Sequence, residues 1–309
     1  MLFIKIVSLI KSLKIRFKGE FMKNQIKISI MTLILIMPCI NQAAQNANEA
    51  LMSVTVAGET LGVKEALDKG ANVDFQEEDD GATALMIAVQ SNNKEMVAIL
   101  LDRGANPIIP NSLDDIPLII ATAGNNRDMV NLILDRSTYP NTQNMQTKSG
   151  ETALKEAVRY NNQDMVNLLL DRGADPNIQN NSRTALEIAV ENNNQDMANL
   201  LLDRGANPSI ALIHAAGAYE ERRGDTLRKI NFFLERGANP NFQDSNGNTA
   251  LMQSGNRPEI AKLLLEKKAD PDIRDNEGRT ALFYAHYNPE IAQMLMNRST
   301  QRTLEDLVL

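Results

Sequence analysis

The sequence repeats itself. A phrase of the form Gly-x-Thr-Ala-Leu-x-x-Ala recurs, followed by an Asn-rich polar turn, a run of Met, Val and Leu, and a closing Asp-Arg-Gly-Ala-Asn-Pro. Its Thr-Ala-Leu element begins at Thr83, Thr152, Thr184, Thr249 and Thr280. Degenerate copies lie at Ile116-Pro117-Leu118 and Ile210-Ala211-Leu212. The closing glycine falls at Gly70, Gly104, Gly173, Gly205 and Gly237, and Ser137 and Lys268 hold its place in two further copies. Gly70 and Gly104 are 34 residues apart, whereas Gly173, Gly205 and Gly237 follow at intervals of 32. A period of this length marks supersecondary units that cannot bury their apolar faces alone and must stack on one another.

Each part of the phrase has a physical job. The threonine hydroxyls can cap the amides that open a first helix. The Leu two residues on and the Ala five residues on face the neighbouring copy. Small residues at Ala88, Ala121, Ala157, Ala189, Ala215 and Ala285 keep that helix thin enough for close stacking. Met165, Val166, Leu168, Leu169 and Leu170 give the second helix a wide apolar stripe that requires burial. The methionines that recur at Met96, Met129, Met165 and Met197 read as core packing. Gly173 ends the second helix in the left-handed region, and Pro176 blocks its continuation. Asp171 and Arg172 read as solvated surface.

The pattern resembles the ankyrin-repeat family, in which Thr-Pro-Leu-His-x-Ala opens the first helix at a period near 33. Pro117 keeps the family's proline once. The family's histidine is replaced by Met86, Ile119, Lys155, Glu187, Met252 and Phe283. The resemblance implies an all-α solenoid of about eight helix-turn-helix repeats with short β-hairpin fingers, covering about residues 48–309 of a domain over 45–309. There is no room for a finger between Gly205 and Ile210, and extra residues fall at Ala218 to Thr226. The copies from Thr249 and Thr280 are shorter before the second helix, where Pro258 and Pro289 suit its first position.

The N-terminus reads as an address. Lys23 and Lys27 precede an apolar run from Ile28 to Ile40, and the small residues Ala43 and Ala44 follow. The run is shorter than the roughly 20 residues needed to span a bilayer. Residues 1–44 therefore read as a signal-peptide region, with Met22 as the start and cleavage after Ala43 or Ala44. The alternatives are an uncleaved anchor or a buried first helix. A lipid-modified Cys39 is disfavoured by Pro38, which sits where a small residue is wanted.

Composition excludes other classes. The one cysteine, Cys39, permits no internal disulfide, and His214 and His286 are too few for a His/Cys metal cluster. No nucleophile elbow, phosphate loop or Ca-binding loop is present, so no enzyme, cofactor or metal is expected. His214, in an apolar helix, reads as structural, and His286 as surface or groove packing. The chain has 32 basic and 39 acidic residues. Residues 1–44 hold seven of the former and Glu20 alone of the latter, which leaves 25 and 38 elsewhere, a net charge of −13. Such a surface repels phosphate backbones, so nucleic acid is not the expected partner.

The reading is a non-catalytic, monomeric protein-interaction scaffold, exported to the periplasm or beyond and free of the membrane once the signal is removed. The alternatives are an accessory or regulatory subunit of a periplasmic enzyme, or a host-directed effector. In the family resembled, partners are met by finger tips and first-helix ends. Carried onto this chain, those are Asp79 and Asp80 with Gln90 and Ser91, Lys148 and Glu151 with Arg159 and Tyr160, and Asn180, Asn181 and Arg183 with Glu191. Arg159 and Tyr160 are the expected hot spots, because Arg and Tyr dominate interface energetics. The run Glu77 to Asp80 reads as a solvated turn or as a contact for a basic partner.

Overall fold

The structure is a computed structural model, and it describes residues 42–139, 141–179, 183–217, 223–285 and 288–308. The chain divides into two units, one ending at Phe75 and the other starting at Gln76. In the first, helix α1 covers residues 42–56 and α2 is Thr60–Asp68, with Leu51, Met52, Val63 and Ala66 buried.

The second unit is a succession of helix pairs. They are α3 (Ala84–Gln90) with α4 (Lys94–Asp102), α5 (Pro117–Ala123) with α6 (Arg127–Arg136), and α7 (Ala153–Arg159) with α8 (Gln163–Asp171). Then come α9 (Ala185–Glu191) with α10 (Gln195–Asp203), α11 (Pro208–Gly217) with α12 (Arg223–Glu235), α13 (Ala250–Gln253) with α14 (Pro258–Glu266), and α15 (Ala281–Tyr284) with α16 (Pro289–Val308). First helices pack on the first helices of neighbouring copies, and Ala88, Ala121, Ala157, Ala189, Ala215 and Ala285 are buried.

Thr83, Thr152, Thr184 and Thr249 each accept a hydrogen bond from the amide three residues on. Thr280 starts α15 without a side-chain cap. Gly173 has φ of 81°, so its left-handed turn is available cheaply only to glycine. Ser137 does not imitate it. It is extended, with φ of −64°, and Asn141 supplies the left-handed turn instead, at φ of 58°. Met96, Met129, Met165 and Met197 are fully buried, as core packing requires. α11 begins at Pro208, where a finger would otherwise stand. Most of the extra segment, residues 218–222, lies outside the described residues.

The fingers differ from expectation. Among the described residues no β-strand forms, and one isolated antiparallel bridge joins Gln76 to Thr83. The fingers are tight turns. The Thr147 amide donates to the Glu151 carbonyl at 3.0 Å, Asp244 to Asn248 at 3.0 Å and Asp275 to Arg279 at 2.9 Å. With so few residues on either side, no ladder propagates. Single side-chain and backbone bonds tie the turns to one another instead. The Lys148 and Ser149 amides donate to the Asp114 carboxylate at 2.9 and 2.7 Å, and the Ser112 amide to the Asp80 carbonyl at 2.7 Å.

Candidate interaction surface

The finger turns and first-helix ends carry the predicted surface, and most of its charges are spent internally. Glu151 accepts from Arg159 Nη2 at 2.8 Å, and Glu156 also accepts from Arg159. One copy later Arg183 donates to Glu191, which also takes Lys229 Nζ at 2.7 Å. Glu151 matches Arg183 in the repeat, and Arg159 matches Glu191. The same clasp between turn and helix end is thus built twice with its charges exchanged. Spacing along one helix gives no hint of it, because the partners are eight residues apart. The exchanged signs at matching positions are the signal that could have found it.

The remaining predicted residues fall out as follows. Asp79, Asp80, Gln90, Ser91 and Lys148 are exposed. Asp80 Oδ1 accepts from the Ala82 amide at 2.8 Å, and Ser91 Oγ donates back to the Ile87 carbonyl at 2.9 Å, so both are partly committed. Asn180 and Asn181 lie outside the described residues, as does His286. Arg159, expected as a hot spot, is held between two carboxylates. Tyr160 beside it is 62% exposed.

Tyr160 borders an open groove of about 760 Å³ between two copies, lined with Thr122, Ala123, Asn125, Asn161 and Asn162. The groove exists because the preceding first helix ends in Ala123 and Gly124, which project almost nothing. Its asparagine wall belongs to a series of staples. Asn92, Asn125 and Asn161 are left-handed, with φ of 55°, 51° and 54°. Asn126 and Asn162 cap the amides of Met129 and Met165 at 3.1 and 3.0 Å. Each then donates through Nδ2 to the left-handed Asn of the preceding copy at 2.6 Å. Leu113, 80% exposed at the turn tip beside Asp114, is a further surface residue the pattern did not single out.

A second ladder adds to the reading of Asp171 and Arg172 as solvated surface, since both stay partly exposed yet pair across copies. Arg136 donates to Asp102 at 2.6 Å, Arg172 to Asp135 at 2.6 Å and Arg204 to Asp171 at 2.8 Å. The Asp-Arg pair that closes each of these copies therefore links second helices along the stack.

The family's histidine position is filled by polar groups in two adjacent copies. Lys155 is buried and donates through Nζ to the Gly150 carbonyl at 2.7 Å. Burial lowers its pKa, against the carboxylates of Glu151 and Glu187. Glu187 completes a capping box with Thr184, accepting from the Thr184 amide at 2.8 Å, and its other oxygen lies 2.8 Å from His214 Nδ1. His214 is thus structural, as its apolar helix suggested.

The family model for ankyrin repeats matches residues 23–111, 118–211 and 212–306. The chain belongs to the ankyrin-repeat family. This ankyrin-repeat chain is also 36% identical over 78 residues to the human 2-5A-dependent ribonuclease. That stretch is 25% of this chain and 10% of the relative, so the chain spans about a tenth of the protein it matches. A match that short carries no nuclease activity to this chain. Ankyrin repeats generally mediate protein–protein interaction. Among the described residues no helix is long and apolar enough to cross a membrane.

Proposed function

We propose that this chain is a non-catalytic, monomeric protein-interaction scaffold. It binds a basic protein partner, not nucleic acid, through the finger turns and first-helix ends between Glu77 and Glu191. The observation that carries the reading is Tyr160, a large, rigid, exposed ring beside an open groove. Its neighbour Arg159 is already neutralised, so Tyr160 is the anchor and the exposed acids Glu77 to Asp80 supply the attraction. The partner is captured with the folded chain and identified by mass spectrometry. Tyr160→Ala then weakens binding more than about tenfold, or 1.4 kcal/mol, and Arg159→Ala weakens it less. The double change Arg274→Ala with Glu277→Ala, on a later finger, also matters less. Loss of binding from the later pair, with Tyr160→Ala silent, places the surface elsewhere.

The export address at Met22 to Ala44 supports action outside the cytoplasm, as an accessory subunit in the periplasm or as a host-directed effector. The first family match begins at residue 23 and runs through that segment. N-terminal sequencing of the protein from its natural host tests the address. A cleaved signal gives a first residue within a few positions of Gln45, and an intact Met1 or Met22 on the folded protein rules such cleavage out.

A further inference from the structure

One copy in the array lacks a finger turn, which alters how it meets its neighbours. Among the described residues several neighbouring finger turns bond to each other, as Ser112 does to Asp80 and as the Asn276 amide does to the Asn246 carbonyl at 3.1 Å. The copy that opens with α11 has no finger, so it cannot contribute such bonds. Its link to α9 is made by side chains. His214 Nδ1 lies 2.8 Å from Glu187 Oε1, and since a carboxylate only accepts, the nitrogen carries the proton. Lys229 Nζ donates to Glu191 at 2.7 Å, and Arg228 donates to Asn193 and to the Val190 carbonyl. The Glu187 and Lys229 side chains are 3% and 5% exposed, so one member of each pair is desolvated and losing its counterpart is costly.

We propose that the junction of α9 with α11 and α12 is a pH-sensitive coupling point, where the His214–Glu187 pair sets how firmly the copies on either side are held together. Three elements pack against α11. From α9 come the charged groups Glu187 and Glu191, with Arg183 just before it. From α12 come Asp225, Arg228, Lys229 and Glu235, α13 brings none, and Arg257 just before α14 donates to the Ala216 carbonyl. The hydrogen bond to Glu187 raises the His214 pKa above the ordinary histidine value, against burial and the positive charges of Lys155 and Arg183. A histidine raised on folding contributes its stability in full below its unfolded pKa and loses it as pH rises through the folded one. The junction is therefore firm in mild acid and loosens in mild alkali. Lys155, lowered by burial, acts with the opposite sign, because its loss of charge favours the fold as pH rises.

Hydrogen–deuterium exchange on the full chain at about pH 6 and about pH 8, with times scaled for intrinsic rates, tests this. Protection of α9 and α11 falls about threefold or more relative to α3 on going to the higher pH, and His214→Gln abolishes that difference. A junction that responds no more than α3 overturns the proposal, as does a wild-type response in the variant. If His214→Gln does not fold, proton NMR of the unaltered chain decides. The chain has two histidines, and His286→Gln assigns their signals. A His214 midpoint above about 6.5 is expected, and one at or below it overturns the proposal.

Discussion

Lys268 stands where most other second helices end in glycine, and it pays the steric cost of a left-handed backbone, with φ of 66°. For a residue with a Cβ that conformation costs about 1–2 kcal/mol. Glycine removes the cost but adds about 0.4–1 kcal/mol of unfolded-chain freedom. Lys268→Gly therefore stabilises the protein by roughly 0.5–1 kcal/mol in urea melts. The side chain is exposed, and the carbonyl that accepts from Asn241 Nδ2 is unchanged, so no contact is lost. A lower urea midpoint would show that Lys268 holds something the backbone does not explain. The finger turn at Asp275 stores charge in a comparable way. Burial raises the pKa of that carboxyl, but hydrogen bonds from Tyr284, Arg279 and the amides of Arg279 and Glu277 outweigh it and hold it below the usual carboxylate range.

Helix pairs are held at their turn by asparagine. Asn162 caps the Met165 amide and reaches back to Asn125, so one carboxamide both starts α8 and staples it to the preceding copy. Asn162→Ala removes both bonds and costs about 1–2 kcal/mol, the range of a lost N-cap. Gln163→Ala, one residue on and exposed, stays within about 0.5 kcal/mol. Equal thermal shifts from the two variants would show that the staple adds nothing to the cap. The helices, their threonine caps and their glycine ends were legible in the sequence, because each depends on residues a few positions apart. The staples, the Arg–Asp ladder and the exchanged clasp were not. The first two join residues 33 to 41 positions apart, as Asn194 to Asn161 and Arg172 to Asn131 do, so they depend on how copies register against each other. Thr280 shows the converse failure: the right residue at the right place makes no side-chain cap, although Thr249 caps the equally short Ala250–Gln253. Of the predicted surface, exposure was legible at Tyr160, whereas the neutralisation of Arg159 was hidden until the turn folded back on the helix end.

Within the second unit, each pair packs on its neighbours, so damage should spread only a short way. Leu169 is fully buried in α8. Leu169→Ala removes three carbons from a packed interface and should cost about 2–5 kcal/mol, since the flanking helices can collapse only partly into the cavity. Asp171→Ala breaks the bond from Arg204, but both groups are more than a third exposed and well screened, which limits the cost to about 1 kcal/mol or less. Urea melts give the two magnitudes, and similar losses would mean that the outer ladder carries as much stability as the core. Hydrogen exchange adds the spatial test. With energy summed over nearest neighbours, Leu169→Ala lowers protection in α5 to α10 and leaves α14 and α16 close to their original values. Uniform loss of protection through α16 would instead show that the array opens as one cooperative unit. The polar junction at α11 would then be too strong to act as a boundary at the pH of the measurement.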